Sequence, residues 1–158
     1  MKIVYSHLLN FLEKKPPLEE LSDKLFQLGH EHEREGDVLD LEITPNRGDC
    51  LSLKGIARDL NHFYKAALEK EVYDAEIPES SLVFENKAED LCPNISFVEI
   101  EIEGKIKDYA PYLENYFQDL KLNKNNLFTD ISNYLAYETG QPTHCYDATK
   151  IDLSLIHI

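Results

Sequence analysis

The chain has 158 residues, with 16 basic and 30 acidic side chains, a formal charge of −14 and 42% hydrophobic residues. That length suits one domain or two small ones, and the composition is that of a globular chain, not a disordered or fibrous one. No apolar run approaches the roughly 20 residues of a membrane-spanning helix and no secretory signal is readable at the N-terminus, so a cytoplasmic protein with no membrane partner is expected.

Ser6 is placed to cap a first short helix carrying Leu8, Leu9 and Leu12, which Pro16-Pro17 ends. A second helix begins near Leu18, with Leu21, Leu25 and Leu28 on one face and Gly29 as its left-handed stop. Residues 30–36 are polar and predict a connection. Val38–Ile43 alternates apolar Leu39, Leu41 and Ile43 with Asp40 and Glu42, the pattern of a half-buried strand. Thr44 to Asp49 is a dense turn cluster, and Asp49 is placed to cap a third helix bearing Leu53, Ile56, Ala57, Leu60 and Tyr64. Residues 1–64 therefore read as a small helical domain with a short strand.

Residues 65–91 read as an acidic connector interrupted by Pro78 and Ser80-Ser81; the net charge is −4 over residues 1–64, −8 over 65–104 and −2 over 105–158. A second unit opens at Cys92-Pro93. Val98, Ile100 and Ile102 alternate with Glu99, Glu101 and Glu103, predicting a strand with one face in water. Asp108 to Pro111 starts a helix with Leu113, Tyr116, Phe117 and Leu120 on one face. Another helix runs from about Phe128 to Thr139, burying Ile131 and Leu135 and ending at Gly140. The fold class is α+β.

Chemistry-bearing clusters are few. His30-Glu31-His32-Glu33 offers imidazole and carboxylate ligands, but alternate residues converge on a metal only along an extended strand and no third ligand is marked, so a solvated loop is preferred and no metal is expected. His144, Cys145 and Asp147 invite a cysteine–histidine nucleophile, yet such pairs usually meet through the fold rather than along the chain. His144 alone, after the Gly-Gln-Pro turn, is the better pocket residue. Arg47, before a helix start, could meet an anion or brace its own loop. Cys50, Cys92 and Cys145 are odd in number and far apart, which predicts reduced thiols. A chain this acidic repels a phosphate backbone, so DNA is not an expected partner and RNA contact needs positive charge from elsewhere.

Three stretches together resemble one family. Tyr5-Ser6-His7-Leu8-Leu9 through Leu25-Phe26-Gln27-Leu28-Gly29-His30-Glu31 resembles the N-terminal helices of the bacterial phenylalanyl-tRNA synthetase (phenylalanine–tRNA ligase) β subunit. Ile43-Thr44-Pro45-Asn46-Arg47-Gly48-Asp49-Cys50-Leu51-Ser52 with Gly55-Ile56-Ala57-Arg58 resembles its T-P-N-R-x-D-C-L-S…G-I-A-R signature. Asp130-Ile131-Ser132-Asn133-Tyr134 through Glu138-Thr139-Gly140-Gln141-Pro142-Thr143-His144 resembles its D-V-T-N-Y…E-x-G-Q-P-x-H segment.

The resemblance implies a part in the ATP- and Mg2+-dependent attachment of phenylalanine to its tRNA, with the α subunit and tRNA(Phe) as partners in a heterotetramer and no cofactor held by this piece itself. It also implies that residues 92–152 are the incomplete start of an α+β editing (tRNA-binding B3/B4-type) domain, which removes tyrosine from mischarged tRNA. His144 matches the histidine at the editing pocket, and Asn133 the motif asparagine as a support; no complete catalytic set is present.

Family members commonly insert an oligonucleotide-binding-fold domain after the first helices, and here only a few residues after Glu33 stand in its place. Lys121-Leu122-Asn123-Lys124 stands where the family has Gly-Ile-Arg-Pro, so the family's arginine is absent from that position. Residues 153–158 do not resemble the family; they can be encoded by a transposon-end adapter sequence and are expected to be a non-native tail of a truncated gene. The alternative function is a non-catalytic adaptor that binds tRNA or a protein.

Overall fold

Leu39 and Leu41 set the centre of the fold, because both lie on the inward side of a strand that has neighbours on both edges. In the computed structural model, which describes residues 1–66, 76, 78–80, 85–104 and 108–150, strand β1 (Lys2–Val4), strand β2 (His32–Glu35) and strand β3 (Val38–Leu41) form one antiparallel sheet in the order β1-β3-β2. The register pairs Ile3 with Leu39 and Arg34 with Leu39.

Two of these strands depart from the sequence reading. Residues 32–35 form a strand and not a connection: each residue pairs across to β3, so backbone hydrogen bonding overrides the polar side chains, which face water on the sheet edge. Residues 2–4 were too short a run to announce a strand. The turn between β2 and β3 is Gly36-Asp37, with Gly36 at φ +60 and no positive φ at Asp37, the pattern of a type II′ hairpin. This two-residue turn occupies the region where the resemblance implies an inserted domain in other members.

Around the sheet lie helix α1 (Tyr5–Leu9), helix α2 (Leu18–Gln27) and helix α3 (Leu53–Phe63). Their apolar faces and the strands enclose Ile3, Leu8, Leu12, Leu21, Leu25, Leu39, Leu41, Leu53, Ile56 and Leu60 in one core. Helix α1 starts one residue before Ser6, without a side-chain cap; it continues directly from β1, so Val4 occupies the cap position. Gly29 adopts φ +85 as the stop after α2. The cap of α3 is Ser52, whose hydroxyl accepts the Gly55 N–H at 3.0 Å, and not Asp49, which lies in a single 3-10 turn, Gly48–Cys50.

Helix α4 (Pro111–Asp119) and helix α5 (Leu127–Thr139) add a second, aromatic cluster around Leu113, Tyr116 and Phe117. Asn126 caps α5 by accepting the Thr129 N–H, and Gly140 ends it at φ +77. Ile131 and Leu135 are half-buried; the fully buried side chain of this helix is Asp130, which accepts the Tyr109 hydroxyl at 2.6 Å and the Asn125 N–H at 3.0 Å. Tyr137 packs against both clusters.

The chain divides into two units, Met1–Lys70 with Asp108–Cys145, and Glu71–Lys107 with Tyr146–Ile158. In the second, the strand predicted over residues 98–103 does not form among the described residues: no neighbouring strand pairs with it, and Val98 and Ile100 stand 62% and 74% exposed. Alternation selects a strand only when a sheet takes up its backbone groups. The connector over 65–91 is described only in part, and residues 153–158 lie outside the described residues. No described helix is long and apolar enough to cross a membrane.

Candidate functional site

Among the described residues, a dense cluster of ionisable groups surrounds the turn before α3. Gly55 lets this happen: a Cβ there would sit 2.1 Å from the Asp49 carbonyl oxygen, so the 3-10 turn packs directly on the helix backbone. The close approach brings Arg47, Asp49 and Cys50 against Arg58 and Asp59 on α3. Arg47 forks onto Asp49, Nε to Oδ1 at 3.0 Å and Nη2 to Oδ2 at 3.1 Å, and the same Nη2 reaches Asp59 Oδ2 at 2.5 Å and Cys50 Sγ at 2.8 Å. Arg58 bonds Asp49 and, at 3.2 Å, Asp59 Oδ1. His30, only 3% exposed, enters from the turn after α2 and places Nε2 3.4 Å from Asp59 Oδ2.

The charges are mutually compensated. Hydrogen bonding to Arg47 holds Asp49 well below the usual carboxylate range, and raises Arg47 above its ordinary value. Burial pushes Asp59 up, but hydrogen bonds from Arg47 and Arg58 outweigh it and leave the carboxyl lowered. Burial first, then the Asp59 charge, pushes the Cys50 thiol up to about 11. A thiol so held is protonated at neutral pH and a poor nucleophile. The arrangement braces the turn; Arg47 meets carboxylates of its own fold, in line with the structural of the two sequence readings.

The histidine cluster of residues 30–33 does not converge. His32 turns away from His30: its Nδ1 faces the His30 carbonyl at 3.0 Å, its Nε2 faces Ser22 Oγ at 2.8 Å, and its ring stacks on Phe26 at 4.3 Å. Glu31 and Glu33 are exposed. His30 meets Cys50 and Asp59 instead, a grouping that sequence reading missed because the residues come from positions 30, 50 and 59 and no local spacing links them.

Asn133 is exposed on α5, and His144 is exposed in the irregular segment that follows Gly140. That segment turns back along its helix: Cys145 Sγ lies 3.7 Å from the Phe128 carbonyl oxygen and 3.7 Å from Ser132 Oγ. Asp147 is engaged by Thr149, whose N–H and hydroxyl bond it at 3.1 and 2.7 Å, and by Lys150. The Gly140 end of α5 rests on Ser52, with a Cβ there 3.4 Å from the Ser52 Cβ, and Glu138 pairs with Lys54 at 3.2 Å. The two long sequence motifs, at 43–58 and 130–144, therefore meet at the start of α3.

Curated relatives from several bacteria share one name. A phenylalanine–tRNA ligase β subunit from Rhodopirellula baltica is 31% identical over 163 aligned positions, covering 96% of this chain and 23% of that protein. The chain belongs to the phenylalanine–tRNA ligase β-subunit family. The β subunit of Wolbachia sp. subsp. Brugia malayi is 29% identical over 164 positions, covering 96% of the chain, and that of Rickettsia typhi is 36% identical over 117 positions, covering 70%. The chain spans between about a seventh and a quarter of the length of these curated relatives, 14% of the Rickettsia protein, 21% of the Wolbachia one and 23% of the Rhodopirellula one. Alignments of 163 and 164 positions over 96% of the chain leave no room for a domain-sized insertion in the matched stretch, consistent with the tight Gly36-Asp37 turn. No protein-family model matches the chain, and no solved structure matches it.

Proposed function

We propose that the chain is the N-terminal portion of a phenylalanine–tRNA ligase β subunit, supporting the ATP- and Mg2+-dependent attachment of phenylalanine to tRNA(Phe) within an assembly with the α subunit. The observation that carries this reading is likeness to β subunits over 96% of the chain. Residues 1–64 serve as a scaffold, residues 65–91 as an acidic connector, and residues 92–152 as the opening of a B3/B4-type editing domain. In that domain His144 lies at the pocket, with Asn133 as its support. Exposure of both side chains is what a pocket completed by further chain requires.

Taken alone, the chain catalyses neither aminoacylation nor editing. Among the described residues the convergent ionisable cluster is a compensated ion network whose thiol is protonated. Its −14 charge repels the tRNA backbone, so the positive charge that holds tRNA comes from the rest of the assembly.

The test is deacylation of tyrosyl-tRNA(Phe) by the 158-residue chain and by the complete αβ enzyme. The complete enzyme is expected to discharge the mischarged tRNA, and His144→Ala in it to slow discharge by roughly 100-fold or more. The chain alone is expected to leave it intact. Turnover by the isolated chain at enzymatic speed would refute the proposal, and salt-sensitive tRNA binding by the chain without turnover would favour the adaptor reading.

A further inference from the structure

We propose that His30, Cys50 and Asp59 form a site for a tetrahedral divalent metal of the zinc class, and that Arg47 occupies its seat as an internal cation when no metal is bound. The donor atoms come from three pieces of chain: the turn after α2, the 3-10 turn and the middle of α3. All three lie within 4.8 Å of one another. His30 Nε2 is 3.4 Å and Cys50 Sγ 3.6 Å from Asp59 Oδ2. Zinc bonds of about 2.0–2.3 Å at tetrahedral angles place neighbouring ligand atoms roughly 3.3–3.7 Å apart, so these two separations already match. Imidazole, thiolate and carboxylate together suit a borderline-soft ion such as Zn2+ or Co2+, not Mg2+ or Ca2+, which take oxygen.

Burial distinguishes this set from surface carboxylates. His30 and Cys50 are 3% and 0% exposed, and both are fixed by the core around them. Asp49 Oδ2, 3.7 Å from Cys50 Sγ, is within reach as a fourth ligand. Arg47 marks the seat: one of its amino groups lies 2.8 Å from the sulfur and 2.5 Å from the Asp59 oxygen, where a positive charge is stabilised by both donors. Its side chain is 32% exposed and springs from a turn, so it can leave toward water. Metal binding exchanges one cation for another: the thiol proton passes to solvent, the sulfur lone pair forms the bond to the metal, and no oxidation occurs. The neighbouring Arg58 opposes the exchange and lowers the affinity.

The test is a Co2+ titration of the whole chain under reducing conditions, followed by absorption, with Zn2+ added afterwards. Expected are one equivalent of tetrahedral Co2+ with a thiolate-to-cobalt charge-transfer band, bleached by Zn2+. The band should vanish in Cys50→Ser and persist when Cys92 and Cys145 are both changed to serine. His30→Gln, which removes a ligand, should weaken binding by more than the roughly tenfold that loss of an outer partner costs, and Arg47→Ala should strengthen it, since it removes the competing cation. Circular dichroism monitors folding, and if Cys50→Ser fails to fold, the opposite shifts in Arg47→Ala and His30→Gln decide. Absence of a thiolate band at millimolar Co2+ in both the native chain and Arg47→Ala overturns the proposal. So does a band that follows Cys92 or Cys145, or an octahedral spectrum with no thiolate contribution.

Discussion

At the scale of single residues, the contact between Gly55 and the Asp49 carbonyl sets the position of every group around Arg47. The motif's glycine is obligatory for space, not for backbone freedom: no positive φ occurs there, but a methyl group would meet backbone oxygen at 2.1 Å and the Cys50 Cα at 3.0 Å. Neither is a flexible side-chain end that can yield, so Gly55→Ala must push the 3-10 turn away from α3. The expected cost is about 1–3 kcal/mol, in the range of overpacked sites. Thermal unfolding monitored by circular dichroism measures it, and an unchanged midpoint would show that the turn is not held in this register. Gly140→Ala offers a contrast, because its Cβ would find ordinary contact with Ser52 at 3.4 Å and suffer instead from φ +77. Its cost is about 1 kcal/mol.

At the scale of elements, Asp130 anchors the start of α5 while fully buried, and its partner Tyr109 reports on it. The hydrogen bond from the Tyr109 hydroxyl to Asp130, together with partial burial, pushes that phenol up to about 12 from the ordinary value near 10. The folded state thus keeps a proton that the unfolded chain releases at lower pH. The resulting stability is complete below about 10 and is lost as pH rises from 10 through about 12. Denaturant midpoints measured across that window should fall with pH, and Tyr109→Phe should flatten part of the fall. Tyr64, also pushed up to about 12 by burial and by Glu20, supplies a further part and should be unaffected by the substitution.

Helix α5 was legible in the sequence to within a residue, because the apolar spacing of Ile131 and Leu135 and the stop at Gly140 agree; its cap, Asn126, is seen only in the structure. Helices α2, α3 and α4 were legible from their apolar spacing, although the cap of α3 is Ser52 and not the Asp49 that the turn suggested. Strand β2 was not: the sequence His32-Glu33-Arg34-Glu35 holds no apolar residue, and only pairing with β3 makes it a strand. Residues 98–103 erred in the opposite direction, having the pattern without the partner. At the site, Arg47 was visible as a turn arginine and His30 as one of a histidine–glutamate run, but Asp59 and the grouping itself were not, since three-dimensional closure alone brings positions 30, 47, 50 and 59 together. His144 and Asn133 were singled out by motif, and neither lies in the ionisable cluster around Arg47.

At the scale of the first unit as a whole, one hydroxyl ties chain ends that are distant in sequence. The Tyr137 oxygen accepts the Val4 N–H at 3.2 Å and lies 3.2 Å from His7 Nδ1, while His7 Nε2 lies 2.9 Å from Asp119 Oδ2. For a neutral imidazole one proton arrangement satisfies all of these contacts: Tyr137 donates to Nδ1, and Nε2–H donates to Asp119. The relay links β1 and α1 to both α4 and α5, and Tyr137 also packs into both apolar clusters. Burial raises the Tyr137 phenol well above its ordinary value, so the hydroxyl stays neutral and able to donate throughout the physiological range.

Tyr137→Phe keeps the ring and removes the oxygen, leaving the Val4 N–H and the imidazole nitrogen without their partner. Loss of a part-buried acceptor costs about 1–3 kcal/mol, and the position of the loss makes a second expectation possible. If the relay couples the two clusters, hydrogen exchange should accelerate together in residues 2–4 and in α4 and α5. If α4 and α5 are held only by their own aromatic packing, exchange should change near Val4 alone. Protection lost at both places, with α2 little affected, is the expected result; acceleration confined to residues 2–4 would mean that the two clusters fold independently and that Tyr137 binds them only sterically.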